Sequence, residues 1–455
     1  MYEILVPADS RGMTNLAPPS DRPPDVAICY GFPASTLLAV DVEETLRTIG
    51  IVLAVGLIAV PIAGLVRLPS MVVLVAAGIV VGPQLFDIVR VPIDAPGPSL
   101  LFSIGVALIL FHGGMGISVR VISKTAIGLL LLSIPGVAIT AAITGLAIQP
   151  LFAVTWPIAL MAGAALASTD PAILVPLFER LGLRPRVAQT VIAESAINDP
   201  MGTILTLTLS AIVVAGGMTT SALSTNGPLV EFAQSIGIGL VIGVVGGVVI
   251  AFLLSNHRLG VLRESAGATL LAMVALAYAT SEATGGSPYL AAFVAGLIVG
   301  NKELLRIAHD RVQEEALDTY LTQTVDIVVL AIFVVLGLNL DVGALVDNLW
   351  AGLAVMVVFI FVARPITVAI CLGLDRRANW TRQEAVFVVW CRETGVVPVA
   401  IASMLLAEHV PGAPLVATLV TFAVVTTLLL QATTAGWLAG RLGLLEDPPL
   451  LPQQP

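Results

Sequence analysis

Charged residues are scarce in this sequence. They make up 11% of its 455 residues, against about 25% in an ordinary soluble domain. That scarcity excludes a water-soluble globular chain, and 57% hydrophobic residues point to an integral membrane protein. Cysteine is nearly absent too. Cys29, Cys371 and Cys391 show no metal-ligand spacing and suggest no disulfide framework. There is no Gly-rich phosphate loop, no cofactor is expected, and nothing suggests a nucleic-acid partner. The first 43 residues are rich in Pro, Asp and Ser and lack a basic stretch followed by an apolar one. They read as a disordered tail, not a signal peptide. The apolar runs lack the alternation of a barrel strand, so the bilayer is the expected partner of helices.

What is present is one apolar run after another from about Ile49 onward. Spans are placed near 48–66, 70–88, 99–117, 125–149, 156–178, 187–215, 229–254, 266–282, 287–300, 325–341, 348–373, 383–407 and 414–438, thirteen in all. A span takes about 20 apolar residues, so 266–282 and 287–300 are the shortest fits. The expected fold is an all-α polytopic membrane protein with inverted repeats and two broken, crossing helices, in spans five and twelve. The expected domains are the tail at 1–43, the transmembrane domain at 44–442 and a short cytoplasmic tail at 443–455. No regulatory nucleotide-binding domain is expected after it.

The loops give an orientation. Connections after odd spans hold fourteen Lys and Arg residues, whereas those after even spans hold only Arg90. Positive loops stay in the cytoplasm. The N-terminus is then outside and the C-terminus, with Arg441, inside. The expected location is the inner cell membrane.

The chemistry concentrates between Ala167 and Gly202, in ASTDPAILVPLFERLGLRPRVAQTVIAESAINDPMG. Asp170, Glu194 and Asp199 lie there at membrane depth. A carboxylate in that position costs at least about 2.5 kcal/mol, so it marks function by default. In Thr169-Asp170-Pro171, the proline removes an amide donor and breaks the helix. The freed carbonyls and the Thr169 hydroxyl then face an ion, and Asp170 neutralises the positive end of a half-helix. The plainer alternative is a proline kink with Asp170 as a cap.

In Glu194-Ser195-Ala196-Ile197-Asn198-Asp199-Pro200, Ser195 and Asp199 share one helix face, and Glu194 and Asn198 the next. A carboxylate, a hydroxyl and an amide carbonyl suit a hard cation such as Na⁺. Asp199, Ser195 and Thr169 are the expected Na⁺ ligands. Burial raises a carboxylate pKa toward working pH, so the group holds either a proton or a metal ion. The alternative is a polar network that only joins helices.

Arg364, in FIFVARPITVAI, needs a carboxylate at that depth. Glu194, Asp170 and Asp199 are candidates. Glu194 is the choice, because it leaves Asp199 to titrate. Arg392-Glu393-Thr394-Gly395-Val396-Val397-Pro398 makes a second interrupted helix. Such a pair in corresponding positions points to an inverted-repeat transport site. Arg392 compensates helix ends and acidic neighbours there, unless it and Glu393 simply neutralise each other. His112 reads as a satisfied core histidine, Asp326 as interfacial, and Asn339 and Asp341 as boundary residues.

STDPA at 168–172, ESAIND at 194–199 and ARP at 363–365 together resemble the bacterial NhaP-type exchangers of the monovalent cation:proton antiporter-1 family. The resemblance covers roughly residues 45–440. It implies that Asp199 carries cation and proton in turn, with Thr169, Ser195 and Asn198 nearby. By the same resemblance Asp170 shapes the helix crossing and Glu194 pairs with Arg364. It also implies a six-helix core moving against a dimerisation domain, a homodimer, and electroneutral Na⁺/H⁺ exchange. There are departures. The family often carries an arginine followed by Gly-Ala where this chain has Arg392-Glu393-Thr394-Gly395, and an acidic residue where it has His112.

The expected function is therefore a secondary antiporter, not an enzyme, exchanging Na⁺ for H⁺ by alternating access, with Li⁺ also considered. The rivals are a K⁺/H⁺ antiporter, a passive cation channel, and an intramembrane aspartyl protease built on Asp170 and Asp199.

Overall fold

The computed structural model describes residues 42–66, 68–92, 95–122, 125–169, 178, 182–216, 228–255, 262–305 and 311–445. Most of the expected tail at 1–43 lies outside these residues. So do Asp170 and Pro171, and the end of the chain after Leu445. Among the described residues the structure is helical, with one isolated bridge between Leu183 and Leu445.

The helices follow the apolar runs, because a backbone in lipid must satisfy its own hydrogen bonds. They are α1 (Val42–Val66), α2 (Ser70–Val81), α3 (Pro96–Met115), α4 (Ala126–Phe152), α5 (Trp156–Ala167), α6 (Pro185–Val214) and α7 (Pro228–Leu253). After them come α8 (Ala266–Ala283), α9 (Pro288–Gly300), α10 (Arg311–Leu338), α11 (Leu349–Leu374), α12 (Arg382–Trp390), α13 (Val396–Ala407) and α14 (Ala413–Arg441). Nine are long and apolar enough to cross a membrane, among the described residues. The shorter apolar helices α2, α5, α9 and α13 fall in the remaining expected spans.

Three boundaries differ from the sequence reading. The sequence places the second span over 70–88, but α2 stops at Val81. Gly82 precedes Pro83 and adopts an extended backbone with φ −80° and ψ −179°, because proline disfavours a helical residue before it. A turn follows, with exposed Arg90 2.5 Å from Asp87. The Arg90 guanidinium holds the Asp87 carboxyl below its usual range. The tenth helix begins at Arg311, well before the apolar run at 325, because its polar first half keeps helical spacing. The fifth span breaks earlier than Pro171: α5 ends at Ala167, and Ser168 is extended.

The short α9 is only 13 residues, about 20 Å, against an apolar layer of about 30 Å. It is enclosed by protein. A Cβ on Gly296 would stand 2.0 Å from the Phe111 carbonyl oxygen, and one on Gly300 2.2 Å from that of Met115. On its other side, a Cβ on Gly243 or Gly247 of α7 would stand 2.7 or 2.8 Å from the carbonyl oxygen of Ala291 or Ala295. Small residues thus let three backbones approach closely.

The candidate site lies where α4, α5 and α6 pack together with α11 to α14. The long α6 is buried almost continuously from Val187 to Ser210. Its interior Pro200 cannot donate to the Ala196 carbonyl.

Candidate cation and proton site

Asp199 lies midway along α6 and is fully buried. One turn before it, Ser195 meets the loose end of α5. The Thr169 and Ser195 hydroxyls are 2.8 Å apart. The Thr169 amide donates to Asn198 Oδ1 at 3.1 Å, and Asn198 Nδ2 donates to Thr169 Oγ1 at 2.8 Å. Thr169, Ser195 and Asn198 therefore form one buried oxygen-rich cluster beside Asp199 in the chain. Helical spacing explains it: Ser195 and Asn198 are three apart on α6, and the extended end of α5 lies across them. Asp170 falls outside the described residues.

Two arginines close the ends of the two broken spans. Arg364 on α11 is 1% exposed and makes a two-pronged pair with Glu194, at 2.5 and 2.8 Å. Its Nε and Nη2 also donate to the Val388 carbonyl, at 3.2 and 2.8 Å. In a continuous helix that carbonyl would accept from residue 392. Here α12 ends at Trp390, so the guanidinium supplies the missing donor.

Arg392 does the same for the other half-helix. Its Nη2 donates to the Ala167 carbonyl at 2.6 Å. The helical donor to that carbonyl would be residue 171, a proline without an N–H. Arg392 Nη1 also reaches Thr140 Oγ1 at 3.3 Å, and its guanidinium lies 5.0 Å over the Phe359 ring. Each arginine thus places positive charge at the negative end of a helix dipole.

The backbone around these groups departs from α geometry. Pro365 cannot donate to Phe361, and α11 widens into a π turn over Phe359–Ala363, where the Arg364 amide bonds to Phe359. Residues 391–395 are non-helical. Cys391 is extended at φ −80° and ψ 91°. The next half, α13, restarts at Val396 with Pro398 in its first turn, where its missing N–H is harmless. Glu393 and Thr394 in the break are fully buried.

The sequence does not single out Thr140, Thr367 (whose hydroxyl lies 3.1 Å from that of Thr140), the Val388 carbonyl or Phe359. A threonine or a phenylalanine in an apolar run carries no distinguishing signal. The sequence marks His112 as a satisfied core histidine, but the structure places it at the edge of the core. It sits 3.6 Å from Asp318, and its side chain is 28% exposed. Asp341 caps the short helix at Val342–Asp347 by accepting from the Ala344 amide at 2.9 Å, and Asn339 donates back to the Val335 carbonyl. Both stand at a helix boundary, as expected.

A pair of broken spans, each with its free carbonyl end capped by a buried arginine, is the kind of arrangement found in transporters. The family comparison decides which. Residues 50–440 match the family described as "Sodium/hydrogen exchanger, transmembrane". This chain is a sodium/hydrogen exchanger family member. The family is one of transporters, and the protease and channel readings are dropped. The exchanger-family chain is 32% identical over 401 residues to "K(+)/H(+) antiporter NhaP2" of Shewanella sp. (strain MR-4), covering 87% of this chain and 66% of that protein. It is 25% identical to "Probable Na(+)/H(+) antiporter 2" of Methanocaldococcus jannaschii, covering 79% and 84% of the two chains. The chain spans 66% of the length of the first of these relatives, just under two thirds. Among solved structures, the sodium proton antiporter MjNhaP1 from Methanocaldococcus jannaschii at pH 8 superposes with a TM-score of 0.73 at 23% identity. That match covers 88% of this chain and 99% of the other. It shows that this exchanger-family chain shares the antiporter fold. The chain is a multi-pass membrane protein.

Proposed function

We propose that this chain exchanges an alkali cation, Na⁺ in the first instance, for H⁺ across the cell membrane, with Asp199 as the shared carrier. The observation that carries this reading is a fully buried carboxylate halfway along α6, adjoining the Thr169–Ser195–Asn198 cluster at the end of a broken helix. Protonated, Asp199 is neutral and stable in the core. Ionised, it needs a compensating cation, and the neighbouring hydroxyl and amide oxygens can replace part of that ion's water shell. Proton and metal ion then exclude each other, which couples their fluxes.

Thr169, Ser195 and Asn198 are the proposed supporting ligands, with Asp170 as a further one. The Glu194–Arg364 pair and Arg392 hold the crossing together. Spans four to six and eleven to thirteen form the proposed moving core, and the rest a dimerisation domain. The proposed orientation in the inner membrane is N-terminus outside and C-terminus inside, from the loop charges.

The cation is the open choice, because one similar protein is named for K⁺ and another for Na⁺. A fluorescence dequenching assay in everted vesicles, titrated with Na⁺, Li⁺ and K⁺, separates them. Asp199→Asn should abolish exchange with every cation while leaving expression and melting temperature intact. Full activity in that variant would remove Asp199 as the carrier.

A further inference from the structure

Gln431 is a buried amide that the exchange reading does not use. It is 1% exposed. Neither its Oε1 nor its Nε2 has a hydrogen-bond partner. A buried amide left in that condition is a standing cost unless something occupies the space before it.

Its position is defined by two anchors. Four residues earlier, Thr427 Oγ1 accepts from the Thr394 amide at 3.0 Å. Three residues later, Thr434 Oγ1 accepts from the Trp390 indole at 2.8 Å. These bonds tie both ends of the non-helical stretch at 391–395 to α14, on either side of Gln431. The amide therefore lies between the anchors, alongside the break of the twelfth span. The Thr394 hydroxyl, in a residue with no exposure, is likewise without a partner.

Helix α14 is itself deformed there. It widens into a π turn over Leu428–Ala432, with Gln431 inside it. No proline accounts for this turn. Instead the Thr433 and Thr434 hydroxyls donate back to the Leu429 and Leu430 carbonyls, both at 2.6 Å. Single π turns recur at functional sites.

The same break connects to the proposed carrier. Arg392 lies in it and reaches Ala167, two residues before Thr169. We propose that Gln431 is a cation-specificity residue: its amide oxygen, with the Thr394 hydroxyl, receives a partly dehydrated alkali cation at the break of the twelfth span. This rests on the exchange reading above and adds a second station to it. The two donors are neutral oxygens of modest field strength. Such oxygens replace the loosely held water of K⁺ more readily than the tightly held water of Na⁺. The station accordingly favours K⁺.

The test uses the full chain in everted vesicles, with K⁺ and Na⁺ as probes. Gln431→Leu keeps the volume and removes the amide. The expected result is an apparent KM for K⁺ raised about tenfold, a smaller rise for Na⁺, and a maximal rate within about twofold of the parent. Thr394→Val should move KM in the same order. Unchanged KM for both ions would overturn the proposal and leave Gln431 holding water only. An equal rise for both ions with a matching fall in rate would also overturn it, because that is the mark of a structural residue. Should Gln431→Leu fail to reach the membrane, Gln431→Asn, which retains the amide one methylene short, carries the same readout. An unmodified chain that exchanges no cation for protons would instead refute the exchange function itself, and this station with it.

Discussion

Removing the Arg364 side chain should destabilise the protein more than any surface change. The guanidinium is 1% exposed and gives two bonds to Glu194 and two to Val388. In Arg364→Ala, Glu194 is left as an isolated buried charge, a loss of about 3–5 kcal/mol. The Val388 carbonyl also loses its donor, for roughly another 1 kcal/mol. For a helical body of this size the sum corresponds to a melting temperature lower by on the order of 5 °C. The measurement is thermal unfolding of purified protein in mild detergent, at a pH where carboxylates are ionised. Glu194→Leu combined with Arg364→Met removes both charges and should recover half or more of the loss, because an apolar replacement of a buried pair is often tolerated. An Arg364→Ala melting point within a degree of the parent would refute the pairing. So would a double variant no better than the single one.

Two further predictions concern other parts of the molecule. Arg392→Gln removes the charged donor to Ala167, a bond worth about 1.5–3 kcal/mol. Exchange rate should fall with little change in cation KM, and Arg392→Lys, which keeps the charge but not the fork, should recover part of the rate. An Arg392→Lys rate no better than that of Arg392→Gln would argue against a charged helix cap. Gly296→Ala would set a methyl group 2.0 Å from the Phe111 carbonyl oxygen, in rigid backbone. It should cost about 1–3 kcal/mol or more, seen as lower yield and melting temperature. A neutral outcome would mean that α3 and α9 are less tightly joined than described.

Much of this fold was legible because lipid leaves few choices. An apolar run bounded by Gly, Pro or charge has to be a helix, so every expected span overlaps an observed helix. The breaks were legible in outline where proline or glycine announced them: Pro171 signals the one that falls at Ala167, and Gly395 with Pro398 the one at 391–395. Arg364 needed a carboxylate, and Glu194 was the one whose use spared Asp199. Other features left no local trace. Pro171 explains why the Ala167 carbonyl lacks a helical donor, but not that Arg392, distant in sequence, supplies the replacement. The π turn before Arg364 follows from Pro365 in hindsight, but a proline in an apolar run more often signals an ordinary kink. Thr140, Thr394 and Gln431 look like incidental polar residues until the chain is folded. The extra polar turns at the start of α10 were missed because hydropathy marks the lipid boundary, not the helix boundary.

The paired arginine caps have a mechanical consequence. Arg364 reaches from the eleventh span to the sixth and the twelfth, and Arg392 reaches from the twelfth to the fifth and the fourth. Five spans are stitched crosswise by charged bonds that lipid offers no water to replace. None of them can slide without dragging the others. On the proposed exchange mechanism, a displacement that re-exposes Asp199 on the opposite side carries this whole bundle as one piece, with the yielding seams at its rim.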